Sequence, residues 1–318
     1  MPRVELHDGS TVEVEVHGDG PALLLPVDPR PAEGPRAEEM RRWGADPELG
    51  RSLVDGLRDV FRVIAFDYEG HVMEKPKPDT LTPANVAADL LAVADAAGAD
   101  RFAYYGYSWL ALGGLQLAIR TDRLSALVMG GFPPLGGPYA EMLRVTEAAH
   151  AMASAPEGPP PARDVREAPD APPVPDAPPV PDAPPVPDVP DAQDVPDASG
   201  EFDWSSVEAT ATEPQTRQFV TLYRALRGFD DLAAQTRVGC PRLCFVGSAD
   251  EIPYGERWGG VHVSMAGPVV NRRAELEALG WDVRVLDGLD HTQAMQADRV
   301  LPVLRPWLAS VTGARRPG

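Results

Sequence analysis

The chain has 318 residues, 43% of them hydrophobic and 24% charged, and a formal net charge of −19. That length suits one large α/β domain or two smaller ones, and the composition is ordinary for a globular protein. The acidity repels nucleic acid and anionic membrane surfaces, no apolar run nears the ~18 residues of a bilayer span, and residues 1–7 lack the apolar stretch of a secretory signal. The expected setting is therefore the cytoplasm, with no nucleic-acid and no membrane partner.

Strand and helix patterns alternate along the chain. Val4 to His7 and Thr11 to His17 alternate apolar and polar residues around Asp8-Gly9, which predicts a hairpin. Ala22 to Val27 is a continuous apolar run, as expected of a strand buried on both faces. Residues 36–58 read as helical, and Phe61 to Phe66 as the next strand. Thr82-Pro83 opens a helix with a capping hydroxyl and a proline in its first turn, and Gly98 ends it. Arg101 to Tyr105 is a strand, Gly106-Tyr107-Ser108 a sharp turn, and Trp109 to about Arg120 a helix. Leu124 to Met129, Arg242 to Val246 and Val283 to Leu286 repeat the strand pattern; helices are expected at 268–279 and from Gln293 to Ala309. Strands alternating with helices predict a mostly parallel sheet covered on both faces.

One segment breaks this rhythm. Residues 156–200 are dominated by Pro, Ala and Asp, and Asp170 to Pro187 is DAPPVP written three times. Residues 156–203 hold 12 acids against 2 arginines, so part of the net charge is local. Proline at this density excludes helix and central strand, and too little apolar surface is present for a core. The expectation is a disordered, polyproline-II-rich linker. It divides a helical insertion over 136–237, whose halves (Pro138 to Ala153 and Val207 to Leu226) carry apolar residues at helical spacing. The body of the domain is then 1–135 with 238–318. Cys240 and Cys244, the two cysteines, read as reduced core thiols, and no metal site is expected.

The chemistry gathers at the ends of strands. Phe102-Ala-Tyr-Tyr-Gly106-Tyr107-Ser108-Trp109-Leu110-Ala111 is a strand, a tight turn with Ser at its tip, then a helix. This resembles the nucleophile elbow of the α/β-hydrolase superfamily. Leu110 departs from the pattern, which has a small residue there. A serine hydroxyl needs a neighbouring His as base and an acid to fix that His in the right tautomer. The resemblance implies the chain order Ser, acid, His. Asp250 follows the strand after the insertion and His291 follows the last strand, so the resemblance implies a triad of Ser108, Asp250 and His291. Its oxyanion hole would use the N–H of Trp109 and a second N–H after the third strand. Pro26 and Pro29 have none to give, which leaves Val27, taken here as the donor, or Asp28. Asp28, Tyr107, Tyr254 and Trp258 are the candidate pocket residues, with His71 and His262 beside them. Phe66-Asp67-Tyr68-Glu69-Gly70-His71 resembles the family's Asp-x-Arg-Gly loop, with Glu69 in place of Arg.

The resemblance thus implies an α/β-hydrolase fold: an eight-stranded, mostly parallel sheet with helices on both faces and a helical cap interrupted by the Pro-rich loop. It implies a cofactor-free serine hydrolase acting on a small-molecule acyl substrate, a carboxylic ester, thioester or lactone, through an acyl-enzyme. Ser108 speaks against dehalogenase and epoxide-hydrolase chemistry, which uses Asp at that position. Two alternatives stand beside it: a hydrolase-like binding protein with little or no turnover, and a C–C bond hydrolase or perhydrolase using the same triad.

Overall fold

The computed structural model describes residues 2–42, 44–155 and 211–313. The Pro-rich segment 156–200 and the first residues of the helix expected from Val207 lie outside the described residues.

In chain order the elements are β1 Arg3–Glu5, β2 Thr11–Glu13, β3 Glu15–His17, β4 Ala22–Leu25, α1 Gly34–Arg42, α2 Leu49–Leu57, β5 Arg62–Ala65 and α3 Tyr68–Glu74. Then come α4 Pro83–Ala96, β6 Phe102–Tyr107, α5 Trp109–Ala118, β7 Leu124–Gly130, α6 Tyr139–Ser154 and α7 Glu213–Ala225. The chain closes with α8 Asp231–Ala234, β8 Arg242–Gly247, β9 Glu251–Tyr254, β10 Val261–Ser264, α9 Ala266–Asn271, α10 Arg273–Ala278, β11 Trp281–Leu286, α11 His291–Ala294 and α12 Ala297–Thr312.

The main sheet has the order β11-β8-β7-β6-β4-β5-β3, and every pairing is parallel except that of the edge strand β3 with β5. It holds seven strands where eight were expected. The N-terminal hairpin accounts for the difference: β1 pairs with β2 as a separate two-stranded ribbon, and only β3 joins the sheet. A second ribbon, β9 with β10, occupies residues 251–264.

Both faces of the sheet are buried, which is why its strands read as unbroken apolar runs. Successive side chains point to opposite faces. Leu24, Ile64, Tyr104, Leu127, Cys244 and Val283 pack with helices α4, α5 and α10 on one face. Leu23, Val63, Ala103, Val128 and Phe245 pack with α2 and α12 on the other. Cys244 is thus a buried core thiol, with its pKa pushed up to about 12 by burial. Helices α6, α7 and α8, inserted between β7 and β8, belong to the same compact unit as the sheet. Side-chain amides and hydroxyls fasten α7 to α3 and the segment after it. Gln215 donates to the Met73 carbonyl (2.7 Å), Gln218 to Val72 (3.0 Å) and Thr221 to Pro78 (2.6 Å).

A polar network ties the N-terminal ribbon to this same segment. Lys77, almost wholly buried, ion-pairs with Asp8 and donates to Ser10 Oγ at 2.9 Å. Ser10 Oγ also lies 2.8 Å from His71 Nε2. His71 is therefore a buried structural residue of this network. Burial opposes ionisation of Asp8, but hydrogen bonds from Lys77 and Ser10 outweigh it and hold the carboxyl well below its ordinary value of 3.8. A depressed folded-state pKa gives stability that is present above the unfolded value and lost as pH falls through the folded one. Asp8→Asn strands a buried ammonium and is expected to cost about 3 kcal/mol at neutral pH. Urea unfolding should show that the gap between wild type and variant narrows below pH 3.8, as the unfolded wild-type chain takes up a proton at Asp8 that the folded state resists. A gap that does not change with pH would assign the loss to packing.

Candidate active site

The site starts from a strained backbone. Ser108 sits at φ 55° and ψ −130°, the one non-glycine residue with positive φ among the described residues. Such a conformation costs roughly 1–3 kcal/mol and persists only where its surroundings over-determine it. Here they do. The Ser108 N–H donates to the Gly130 carbonyl at 2.8 Å, continuing the β6–β7 ladder past the end of the strand. On its other side, the Ser108 carbonyl accepts from Ala111 at 2.9 Å and so starts α5. Ser108 stands at the N-cap position of α5 without a side-chain cap bond, so its hydroxyl is not spent on the helix.

Helix and strand lie close at this turn. A Cβ on Gly106 would sit 2.5 Å from the Leu110 carbonyl oxygen, so only glycine fits there. The same carbonyl accepts a hydrogen bond from Tyr104 at 2.8 Å. The Leu110 side chain is buried in the core, and the elbow is built with Leu at that position.

Asp250 follows β8 and is fully buried. Its Oδ2 accepts from His291 Nδ1 at 2.8 Å. Burial raises the Asp250 pKa, while the charge and hydrogen bond of His291 pull it down. His291 lies at the start of α11, and a close backbone approach brings it there. A Cβ on Gly247 would meet the Leu289 carbonyl oxygen at 2.0 Å. The competing acids are engaged elsewhere. Asp290 caps α11, accepting from Gln293 N–H at 2.7 Å. Glu251 accepts from Ser264 at 2.6 Å and from Gly267 N–H at 3.1 Å. Asp287 accepts from Ser248 at 3.4 Å. Ser108 Oγ forms no hydrogen bond to His291 among the described residues; catalytic hydrogen bonds are often loose without substrate. Among the described residues, no group of three or more His, Cys, Asp or Glu is placed to hold a metal ion.

The candidate oxyanion donors divide. Trp109 opens α5, and its N–H has no acceptor among the described residues. The Val27 N–H is already given to the Leu25 carbonyl at 2.9 Å, so Val27 is not free to serve. Asp28 is the remaining donor in that loop, and its N–H has no acceptor among the described residues. Its carboxylate turns back to accept the Arg30 N–H at 3.0 Å.

The expected pocket residues are put to several uses. Tyr107 donates to the His291 carbonyl at 2.7 Å, with its ring 5.1 Å from the imidazole. It holds His291 in place, a role that its sequence position beside Ser108 did not reveal. Tyr254 ends β9, its hydroxyl pKa raised to about 12 by burial and by the charge of Asp250. Trp258 lies in a short turn, 256–258, that packs against α6. His262 is exposed and pairs with Glu251 at 3.1 Å. Glu69 went unrecognised as a functional candidate. It accepts from Trp109 Nε1 at 3.3 Å and lies close enough to His291 to feel its charge. The signal was present in the sequence as an acid where the resembling loop carries a base.

The chain has the α/β-hydrolase fold. It is similar to a thermophilic esterase from Thermogutta terrifontis (TM-score 0.56, 16% identity, 98% of each chain covered). An enol-lactonase from Burkholderia xenovorans LB400 matches with a TM-score of 0.55 at 17% identity, over 97% of this chain and all of that one. A meta-cleavage product hydrolase from Pseudomonas fluorescens IP01 matches at 0.54 and 14%, over 98% of each. No protein-family model and no curated protein matches the sequence.

The Asp250–His291 bond assigns the imidazole tautomer: Nδ1 carries the proton and Nε2 faces away from Asp250. A proton NMR resonance from His291 Nδ1–H, displaced far downfield by the carboxylate, is expected in wild type and absent in Asp250→Ala. Its absence from folded wild type would reverse the tautomer assignment.

Proposed function

We propose that this protein is a serine hydrolase that cleaves carboxylic esters, thioesters or lactones through an acyl-enzyme. The observation that carries the reading is the convergence at one sheet edge of a strained, uncapped Ser108 and a buried Asp250–His291 pair. A strain costing roughly 1–3 kcal/mol at a single non-glycine residue is a feature that active sites retain. The esterase and enol-lactonase named above support the choice of ester and lactone substrates.

In this reading Ser108 Oγ attacks the acyl carbonyl while His291 Nε2 takes its proton. Asp250, deprived of water, holds the Nδ1–H bond and stabilises the imidazolium that forms. The developing oxyanion meets the N–H groups of Trp109 and Asp28. His291 then protonates the leaving group, the C–O or C–S bond breaks, and an acyl-Ser108 ester remains. Water, deprotonated by His291, attacks that ester and restores the serine. Of the two carboxylates near the oxyanion, Asp28 turns to Arg30, and Glu69 has one oxygen bound by the Trp109 indole.

The absence of a Ser108–His291 hydrogen bond among the described residues favours a second reading, a hydrolase-like binding protein with little turnover. A fluorophosphonate probe followed by intact-mass measurement separates the two. The hydrolase reading expects one adduct on wild type and none on Ser108→Ala. It also expects Asp250→Asn to lower kcat by roughly 10³–10⁴-fold on any ester that is turned over, since the imidazole is then held in the wrong tautomer. No adduct on folded wild type would favour the binding protein.

A further inference from the structure

Glu69 occupies an unusual place. Its residue is solvent-exposed, yet protein stands close enough around the carboxyl for burial to raise its pKa. One oxygen accepts from Trp109 Nε1 at 3.3 Å; the other accepts no hydrogen bond among the described residues. Arg36 is near enough to act electrostatically, but no cation stands within 4 Å of the carboxylate among the described residues. Asp67, the other acid nearby, spends its carboxylate on the Gly70 N–H at 2.8 Å, capping α3.

Two half-buried aromatic rings complete the corner. The Trp109 indole lies 6.0 Å from Tyr68 and 5.5 Å, edge-on, from Phe219 of α7. Trp109 is also the residue that follows the nucleophile, so the corner adjoins the reacting atoms. A carboxylate with a free oxygen beside half-buried aromatic rings is the chemistry that recognises an organic cation. The carboxylate supplies the charge, and the rings supply polarisable, weakly hydrated walls. A neutral or anionic group placed there would leave the carboxylate unpaired and partly desolvated, at a cost in affinity.

We propose that Glu69, with Trp109 and Phe219, is a specificity determinant that selects acyl substrates carrying a positively charged ammonium group. The inference rests on Ser108 as the nucleophile, since that is what makes this corner part of a substrate cleft. The net charge of −19 works in the same direction by attracting cations to the surface as a whole.

The test compares 2-(trimethylammonio)ethyl acetate with its uncharged isostere, 3,3-dimethylbutyl acetate, by calorimetric titration. Titration into Ser108→Ala keeps both esters intact. The cationic ester is expected to bind at least tenfold more tightly than the neutral one. In Ser108→Ala with Glu69→Gln the ratio is expected to fall to near one, because Gln keeps an acceptor for Trp109 Nε1 and removes only the charge. Circular dichroism confirms that both variants are folded. Equal affinity for the two esters, no detectable binding of the cationic ester, or a preference that survives Glu69→Gln would each overturn the proposal. The fluorophosphonate result on wild type judges the hydrolase reading separately. A cation preference without an adduct would keep the binding corner and discard the nucleophile, whereas an adduct without a preference would do the reverse.

Discussion

The backbone of Ser108 is the constraint on which the site depends. A β-strand and an α-helix leave their shared junction in different directions, and one residue must absorb the change. Its φ of 55° is worth roughly 1–3 kcal/mol of strain, and the whole cost falls on a residue with a side chain. Two backbone bonds and one close packing contact hold it: Ser108 N–H to Gly130, Ala111 N–H to the Ser108 carbonyl, and Gly106 against the Leu110 carbonyl. They tie the turn to β6, β7 and α5, whose residues are largely buried, so the core that stabilises the fold also holds the strain.

Electrostatics follow from the same placement. Asp250 lies at the end of a strand flanked by β7 and β11, where water is excluded. A lone carboxylate there would protonate, and burial does raise its pKa. The Nδ1–H of His291 opposes that rise and gives the carboxylate its partner. Each residue thus corrects the other: Asp250 fixes the tautomer of His291, and His291 makes the buried charge tolerable. Tyr107 adds a third restraint by holding the His291 carbonyl rather than its ring. The imidazole is fixed from two directions while Nε2 stays available.

Much of this was legible in the sequence, for a physical reason. Strands buried on both faces must be apolar throughout, so Leu23 to Leu25, Val63 to Ala65 and Leu243 to Val246 announced themselves, and the residues just past them fell at the sheet edge. What stayed hidden depended on contacts remote in sequence or on turns within a few residues. The capture of the Val27 N–H by Leu25 is a local turn that composition does not encode. The β9–β10 ribbon carries Pro253 within β9 and Gly259-Gly260 in its connection, and these read as loop signals. Helix α3 is only seven residues long and begins at an Asp67 cap, too short for a hydrophobic period to show. The reading of 156–200 falls on residues outside those described.

Trp109 shows how the labour is divided. Its backbone belongs to the core: the N–H position is set by the elbow and by α5, whose next residues, Leu110 to Leu112, are buried. Its side chain meets Glu69 of α3 and Phe219 of α7. These two helices are not independent, because Gln215, Gln218 and Thr221 bind α7 to the backbone from Val72 and Met73, within α3, to Pro78 beyond it. The chain before the insertion and the helix within it therefore present one surface to the indole. Changes to that surface alter what lies beside Trp109 without touching the bonds that strain Ser108 or orient His291. The surroundings of the indole can vary on α3 and α7 while the Ser108 turn and the Asp250–His291 pair stay fixed by the sheet.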